Sequence, residues 1–312
     1  MRRIIILRKN LKNSLKFVIK NSQSLPNPMN TNGLSFQNST VENLYVNDFS
    51  IDQILLQEII SSSTTTPDLL AIVADALKNP AFYTREGTIK SGGAAPFHAA
   101  MALHEQRADA VMLPLIEFLK GDVLVLDDVL GVDFLTDNAW SFVCHLGKKY
   151  LKELEMLIFE GEVDIYAKLA ITSGLAQMAN SYPAMRPEVL KIFSKLVKFY
   201  ISDESLDHLA EEEAIFEGSD FDADIEFLSD ALRDILKINP EELSDDIDEC
   251  FAQDIVDEAI LGIEDVIYKN VFKKPLVLAA IYKNLIEKDA DGEDILDLSS
   301  AEDEKPKIKK MK

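Results

Sequence analysis

Apolar residues three and four positions apart recur along most of this chain, and they come in short stripes that no isolated segment can hide from water. Val111, Met112, Leu115, Ile116 and Leu119 form one stripe, and Val189, Phe193, Leu196, Val197 and Tyr200 form another. Leu228, Ala231, Leu232, Ile235 and Leu236 repeat it, and Leu151, Leu154, Leu157 and Ile158 give a shorter version. This is the period of an α-helix with one buried face. No period-2 strand and no Asn-Gly hairpin turn competes with it, so the expected fold class is all-α.

The punctuation agrees with the period. Ser50 with Gln53 makes a capping box, Thr66-Pro67 supplies a cap followed by a first-turn proline, and Asn239-Pro240-Glu241-Glu242 combines cap, proline and acid. Pro96, Pro187 and Pro275 also suit helix openings, where the missing N–H costs nothing. Pro114 lies inside an apolar stripe and predicts either a late start or a kink.

The expected helices pair through short turns: 95–107 with 110–120, 136–146 with 148–160, and 164–181 with 187–200. About 35 residues per pair is the range of HEAT and related repeats. A pair this thin cannot bury its own apolar face, so neighbours must stack into an α-α superhelix. Small residues recur where helices must approach, as in Ala99-Ala100-x-Ala102 and Ala167-x-x-Ala170. The run Pro96-Phe97-His98-Ala99-Ala100-Met101-Ala102-Leu103, then Leu113-Pro114-Leu115-Ile116-Glu117-Phe118-Leu119, then Leu135-Thr136-Asp137 before Trp140 and Cys144, resembles a mainly bacterial family of uncharacterised proteins with HEAT-like repeats. The resemblance covers about residues 50–272 and implies a fold, not a chemistry. Many members of that family end in a SEC-C zinc knuckle; here no cysteine follows Cys250 and the end is lysine-rich, so the knuckle does not carry over.

Charge narrows the partners. The net charge is −22, yet the first 40 residues hold seven bases and no acid, which leaves about −29 on the rest. A body so acidic repels phosphate backbones, so no nucleic acid is expected on it. Cys144 and Cys250 form no C-x-x-C pair, which fits a reducing compartment and a cytoplasmic location. No apolar run approaches the ~20 residues of a membrane span. Residues 1–45 read as a basic, then Asn/Ser-rich, disordered leader, whose first 20 residues form a basic amphipathic pattern open to organelle targeting, a misassigned start or a weak surface anchor. Residues 46–200 read as the repeat region, 201–224 as an acidic linker, 225–288 as acidic helices packing on the repeats, and 289–312 as a disordered charged tail.

Catalytic signatures fail one by one. His104-Glu105-Gln106-Arg107-Ala108 opens like a zinc-protease helix but has Ala108 where the second histidine belongs. His98 and His104, six apart, fall on different helix faces. Asp220-x-Asp222-x-Asp224 and Glu287-x-Asp289-x-Asp291-Gly292 imitate calcium loops, yet each lacks the closing glutamate. Cys144 and His145 point about 100° apart on a helix and make a poor dyad, one for packing and one for the surface. Trp140 is expected in the core beside Phe142 and Val143.

Asp127, Asp128, Asp133 and Asp137 are the carboxylates that a metal-assisted enzyme would use, and the competing reading makes them helix-start acids complementing the macrodipole. No nucleophile elbow or phosphate loop accompanies them. The chain is therefore expected to be a non-enzymatic scaffold without cofactor, binding a protein or peptide partner of basic character. Its candidate surface comprises Asp127, Asp128, Asp133, Asp137, Glu211, Glu212 and Glu213. A secreted bacterial effector is a further alternative, suggested by the charged tail.

Overall fold

The computed structural model describes residues 31–47, 51–83, 93–202 and 220–266. Among them there are helices and turns and no strand, as the apolar period requires. Besides a single helical turn at Pro80–Tyr83, the α-helices are α1 (Gln53–Ser61), α2 (Thr66–Lys78), α3 (Ala95–Glu105), α4 (Met112–Lys120), α5 (Val123–Leu130), α6 (Trp140–Leu146), α7 (Leu151–Phe159), α8 (Ile165–Ser181), α9 (Arg186–Tyr200), α10 (Asp220–Leu236) and α11 (Ser244–Ala252). Among the described residues no helix is long and apolar enough to cross a membrane.

Helix starts differ in detail from the sequence expectation. Asp52, not Ser50, caps α1, because its carboxylate accepts from both Ile54 N (2.9 Å) and Leu55 N (3.0 Å). Thr66 opens α2 with Pro67 in its first turn, but its hydroxyl does not cap. It donates to Gln106 Oε1 at 2.8 Å, so a tertiary partner has taken it. Pro114 is the third residue of α4, which enters through a 3-10 turn at Asp109–Val111; this is the late start, since the missing N–H falls among first-turn groups that have no intrahelical acceptor. Pro240 does not begin an α-helix. Asn239 takes a left-handed φ of 55°, Glu241–Leu243 forms a 3-10 turn, and α11 follows from Ser244.

The packing has two layers. In one, α3, α6, α8 and α10 touch in series, with α1 against α3; in the other, α2, α4, α7, α9 and α11 do the same. Each pair from α3/α4 onward thus contributes one helix to each layer, apart from α5, which packs on α3 and α4. Burial separates the layers. Residues from Ala95 to His104 are all buried, and α8 buries Ala167, Ala170, Ile171, Gly174, Leu175, Ala176, Met178 and Ala179. The partner layer keeps only a stripe inside, as in α9 with Val189, Ile192, Phe193, Leu196, Val197 and Tyr200. A helix covered on most sides must be small where neighbours cross. At Gly174, facing α6, a Cβ would lie 2.6 Å from the Trp140 carbonyl oxygen and closer still to Val143 Cβ.

Residues 31–47 correct the expected boundary of the leader. Ser39–Val46 forms a 3-10 helix that buries Val41, Leu44 and Tyr45 in the core. Asp68, 5 % exposed, accepts the backbone N–H groups of Gln37 (3.1 Å) and Asn38 (2.8 Å), and Tyr45 OH meets Tyr83 OH at 3.1 Å. Folded chain therefore begins well before residue 45, and one short 3-10 turn offers too few apolar residues to show a period. At the other boundary, α10 starts at Asp220, so 220–224 is helix and not linker. The basic pattern of residues 1–20, Ser50, Pro275, the 287–298 acidic motif and the 289–312 tail lie outside the described residues.

Candidate functional site

Three places merit a chemical reading: an acidic cluster around α5, a histidine and cysteine seam between α3, α6 and α8, and the outer face of α10 and α11.

Asp127 and Asp128 lie towards the C-terminal end of α5, so they are not helix-start acids. That role belongs to Asp122, which accepts from Leu124 N at 2.8 Å. Asp133 precedes a π-turn at Phe134–Ala139 and Asp137 lies within it. Asp128, Asp133 and Asp137 are exposed and Asp127 is half-buried. Burial raises the Asp127 carboxyl above its usual value, and the charges of Asp128, Asp133 and Asp164 add to the effect. The structure thus brings Asp127, Asp128 and Asp133 into one field and adds Asp164, the cap of α8, which sequence spacing does not reveal. Among the described residues no three His, Cys, Asp or Glu side chains are placed to hold a metal ion. Glu211, Glu212 and Glu213 lie outside the described residues.

In the seam, Cys144 is buried and His145 is half-buried, so the expected surface histidine is instead a packed one. Cys144 Sγ lies 3.9 Å from His145 Nδ1, which pairs with Tyr182 OH at 2.9 Å. Burial pushes the Cys144 thiol up to about 11. It pushes His145 down to about 4, and the positive charge of Arg107 contributes. A thiolate–imidazolium pair needs the opposite shifts, so this pair is not an activated nucleophile. His104 is fully buried, with Nε2 3.2 Å from Ser141 Oγ and its ring 4.9 Å from that of Phe142. His98 is buried as well. Trp140, expected in the core, is half-buried with Nε1 donating to the Asp137 carbonyl at 3.0 Å.

The outer face of α10 and α11 carries more acid than base. Arg233 and Lys237 are the only basic residues between 220 and 266, and they pair with Asp230 (2.8 Å) and Asp234 (2.6 Å) of α10. On α11, Ile247 and Cys250 point into the core while Asp245, Asp248 and Glu249 are exposed. From α9, Arg186 reaches Glu242 at 2.7 Å and Lys198 comes within 3.8 Å of Asp246. Sequence counting finds this excess of acid. The direction it faces comes only from the burial of Ile247 and Cys250.

No protein-family model matches the chain, and neither a curated protein nor a solved structure matches it.

Proposed function

We propose that this chain is a non-catalytic scaffold of HEAT-like stacked hairpins that holds a basic protein or peptide on the acidic outer face of α10 and α11. The observation that carries this reading is the exposed row Asp245, Asp248 and Glu249 above buried Ile247 and Cys250, in a segment whose two bases are already paired. An excess of exposed charge of one sign speeds the approach of an oppositely charged partner and rejects like-charged ones. The alternation of helices between two layers supports the HEAT-like part of the proposal, because each pair completes its neighbour's core. The seam supports the non-catalytic part: its thiol and imidazole are shifted away from reactivity.

The test is affinity capture with the full chain and with a charge-neutral variant, Asp245→Asn/Asp248→Asn/Glu249→Gln, each at low and raised salt. A discrete basic partner retained by the natural chain, released by salt and absent from the variant is the expected result. Equal capture by both chains, or capture that salt does not weaken, refutes the assignment. All three substitutions are at exposed positions, so thermal unfolding of the variant is expected to match that of the natural chain.

A further inference from the structure

Helix α8, covered on most sides, buries a lysine. Lys168 is 9 % exposed, in a run that otherwise buries Ala167, Ala170, Ile171 and Thr172. Its Nζ points to α10, 5.7 Å from the centre of the Phe227 ring. That is near the outer limit of a cation–π contact, about 6 Å, so the ring holds the charge only weakly. Among the described residues Nζ has no hydrogen-bond or ion-pair partner; Asp224 and Asp164 act on it only from a distance. One turn further along the same interface the opposite holds. Buried Asp234 of α10 accepts from Thr172 Oγ1 (3.1 Å), Ser173 Oγ (2.6 Å) and Lys237 Nζ (2.6 Å). The α8–α10 interface thus satisfies its buried carboxylate three times and its buried amine not at all.

A buried charge without a partner is costly, and a lysine escapes that cost by shedding its proton. Burial accordingly pulls the Lys168 ammonium below its ordinary value, against the carboxylates of Asp224 and Asp164, which act to keep the proton on. A desolvated lysine amine is the nucleophile of Schiff-base chemistry. It is also reachable. Nζ is not one of the buried polar atoms that lack both a partner and solvent, so the small open part of the side chain includes the nitrogen.

The surroundings select the electrophile. So narrow an opening admits only a small molecule. The Asp164 and Asp224 carboxylates repel anions, whether a phosphorylated aldehyde, an acyl phosphate or the carbamate that carbon dioxide would leave. The Phe227 ring beside the amine suits an apolar adduct. An uncharged aldehyde meets all three conditions, and it needs no activated leaving group, since only water departs.

We propose that Lys168 is a covalent modification site that takes a small uncharged aldehyde as an imine. The Nζ lone pair attacks the carbonyl carbon and the carbonyl oxygen takes up a proton. The carbinolamine then loses water as the C=N bond forms, with no oxidant or reductant consumed. The site goes beyond the scaffold role and does not depend on it, because it uses the α8–α10 interface and not the outer face of α10 and α11.

The test is partial reaction of the full chain with acetaldehyde and cyanoborohydride at neutral pH, which fixes the imine as an N-ethyl amine, read by peptide mass spectrometry. Lys191, exposed on α9, is the reference. Lys168 is expected to react at least about fivefold faster than Lys191, because each unit of lowering multiplies the free amine about tenfold and restricted access takes back only part of the gain. In urea the preference should vanish, since it belongs to the fold. Pyridoxal phosphate, larger and anionic, should favour Lys191 under the same reduction. Asp224→Asn should speed the reaction at Lys168 at least about twofold, because a charge that keeps the proton on is gone; asparagine retains an acceptor for the Tyr200 hydroxyl, which donates to Asp224 Oδ1 at 3.2 Å. The proposal is overturned if Lys168 reacts no faster than Lys191 in the folded chain, if the preference persists in urea, if pyridoxal phosphate shares it, or if Asp224→Asn slows it.

Discussion

Replacing Gly174 by alanine asks whether α6 and α8 approach as closely as their small residues allow. The added Cβ would sit 2.6 Å from the Trp140 carbonyl oxygen and 2.6 Å from Val143 Cγ1, and nearer still to Val143 Cβ. Carbon atoms rest at about 3.5–4.0 Å, so one helix must back away by about 1 Å across a packed interface. Neither a backbone carbonyl nor a Cβ can swing aside as the far end of a long side chain would. Overpacking of this kind costs about 1–3 kcal/mol and belongs here at the upper end, while alanine returns about 1 kcal/mol over glycine inside a helix. The net expectation is a loss of about 2 kcal/mol, read as a lower urea midpoint at constant slope and a fall in Tm of roughly 4–8 °C. Gly161, where a Cβ would meet nothing within 4 Å, is the control. Its alanine variant should stay within about 0.5 kcal/mol of the natural chain. Val143→Ala removes a nearby methyl carbon, so Gly174→Ala should cost less in that background. A Gly174→Ala chain as stable as the natural one would refute the close approach.

Three other outcomes follow from the contacts. Gln106 donates from Nε2 to Ile59 O (2.9 Å), Ser62 O (3.1 Å) and Thr65 Oγ1 (2.9 Å), so Gln106→Ala should cost about 2–3 kcal/mol in urea unfolding, and a change below 1 kcal/mol (~0.5 kcal/mol is the floor for a single such bond) would contradict the network. Asp68→Ala removes the acceptor for Gln37 N and Asn38 N, and should speed amide exchange and protease cleavage within 31–47 while leaving α8 protected; unchanged exchange there would mean that the segment is held by its apolar residues alone. His145 is neutral in the fold, its value lowered from 6.5 to about 4. The unfolded chain therefore binds the extra proton first, so stability falls as pH drops from about 6.5 to about 4, and the decline is complete below that. Thermal unfolding across this window should show a shallower slope for His145→Gln, and equal slopes would place the acid sensitivity elsewhere.

Much of the helical framework was legible because it is local. Expected helices at 164–181 and 187–200 correspond to Ile165–Ser181 and Arg186–Tyr200, and 148–160 contains Leu151–Phe159. Stripes three and four apart and first-turn prolines act within one or two turns, so neighbours in sequence suffice to read them. Helix α5 was missed because Val123-Leu124-Val125-Leu126 is apolar without a period, and the π-turn at Phe134–Ala139 has no sequence signal at all. Of the candidate surface, the individual acids were visible, but their grouping was not: Asp164 joins Asp127 only because the N-terminus of α8 lands beside α5.

By itself the sequence determined that the described body is helical and where most of its helices run. Only the tertiary structure decided which helices lie inside, that Gly174 is required where α8 meets α6, that Gln106 ties the α1–α2 turn to the end of α3, and that Met156 and Phe159 line one groove. The reason is range. Backbone preference and helix period are set by residues a few positions apart, whereas burial, close approach and the sharing of a charge field are set by residues that the folded chain brings together from tens of positions away.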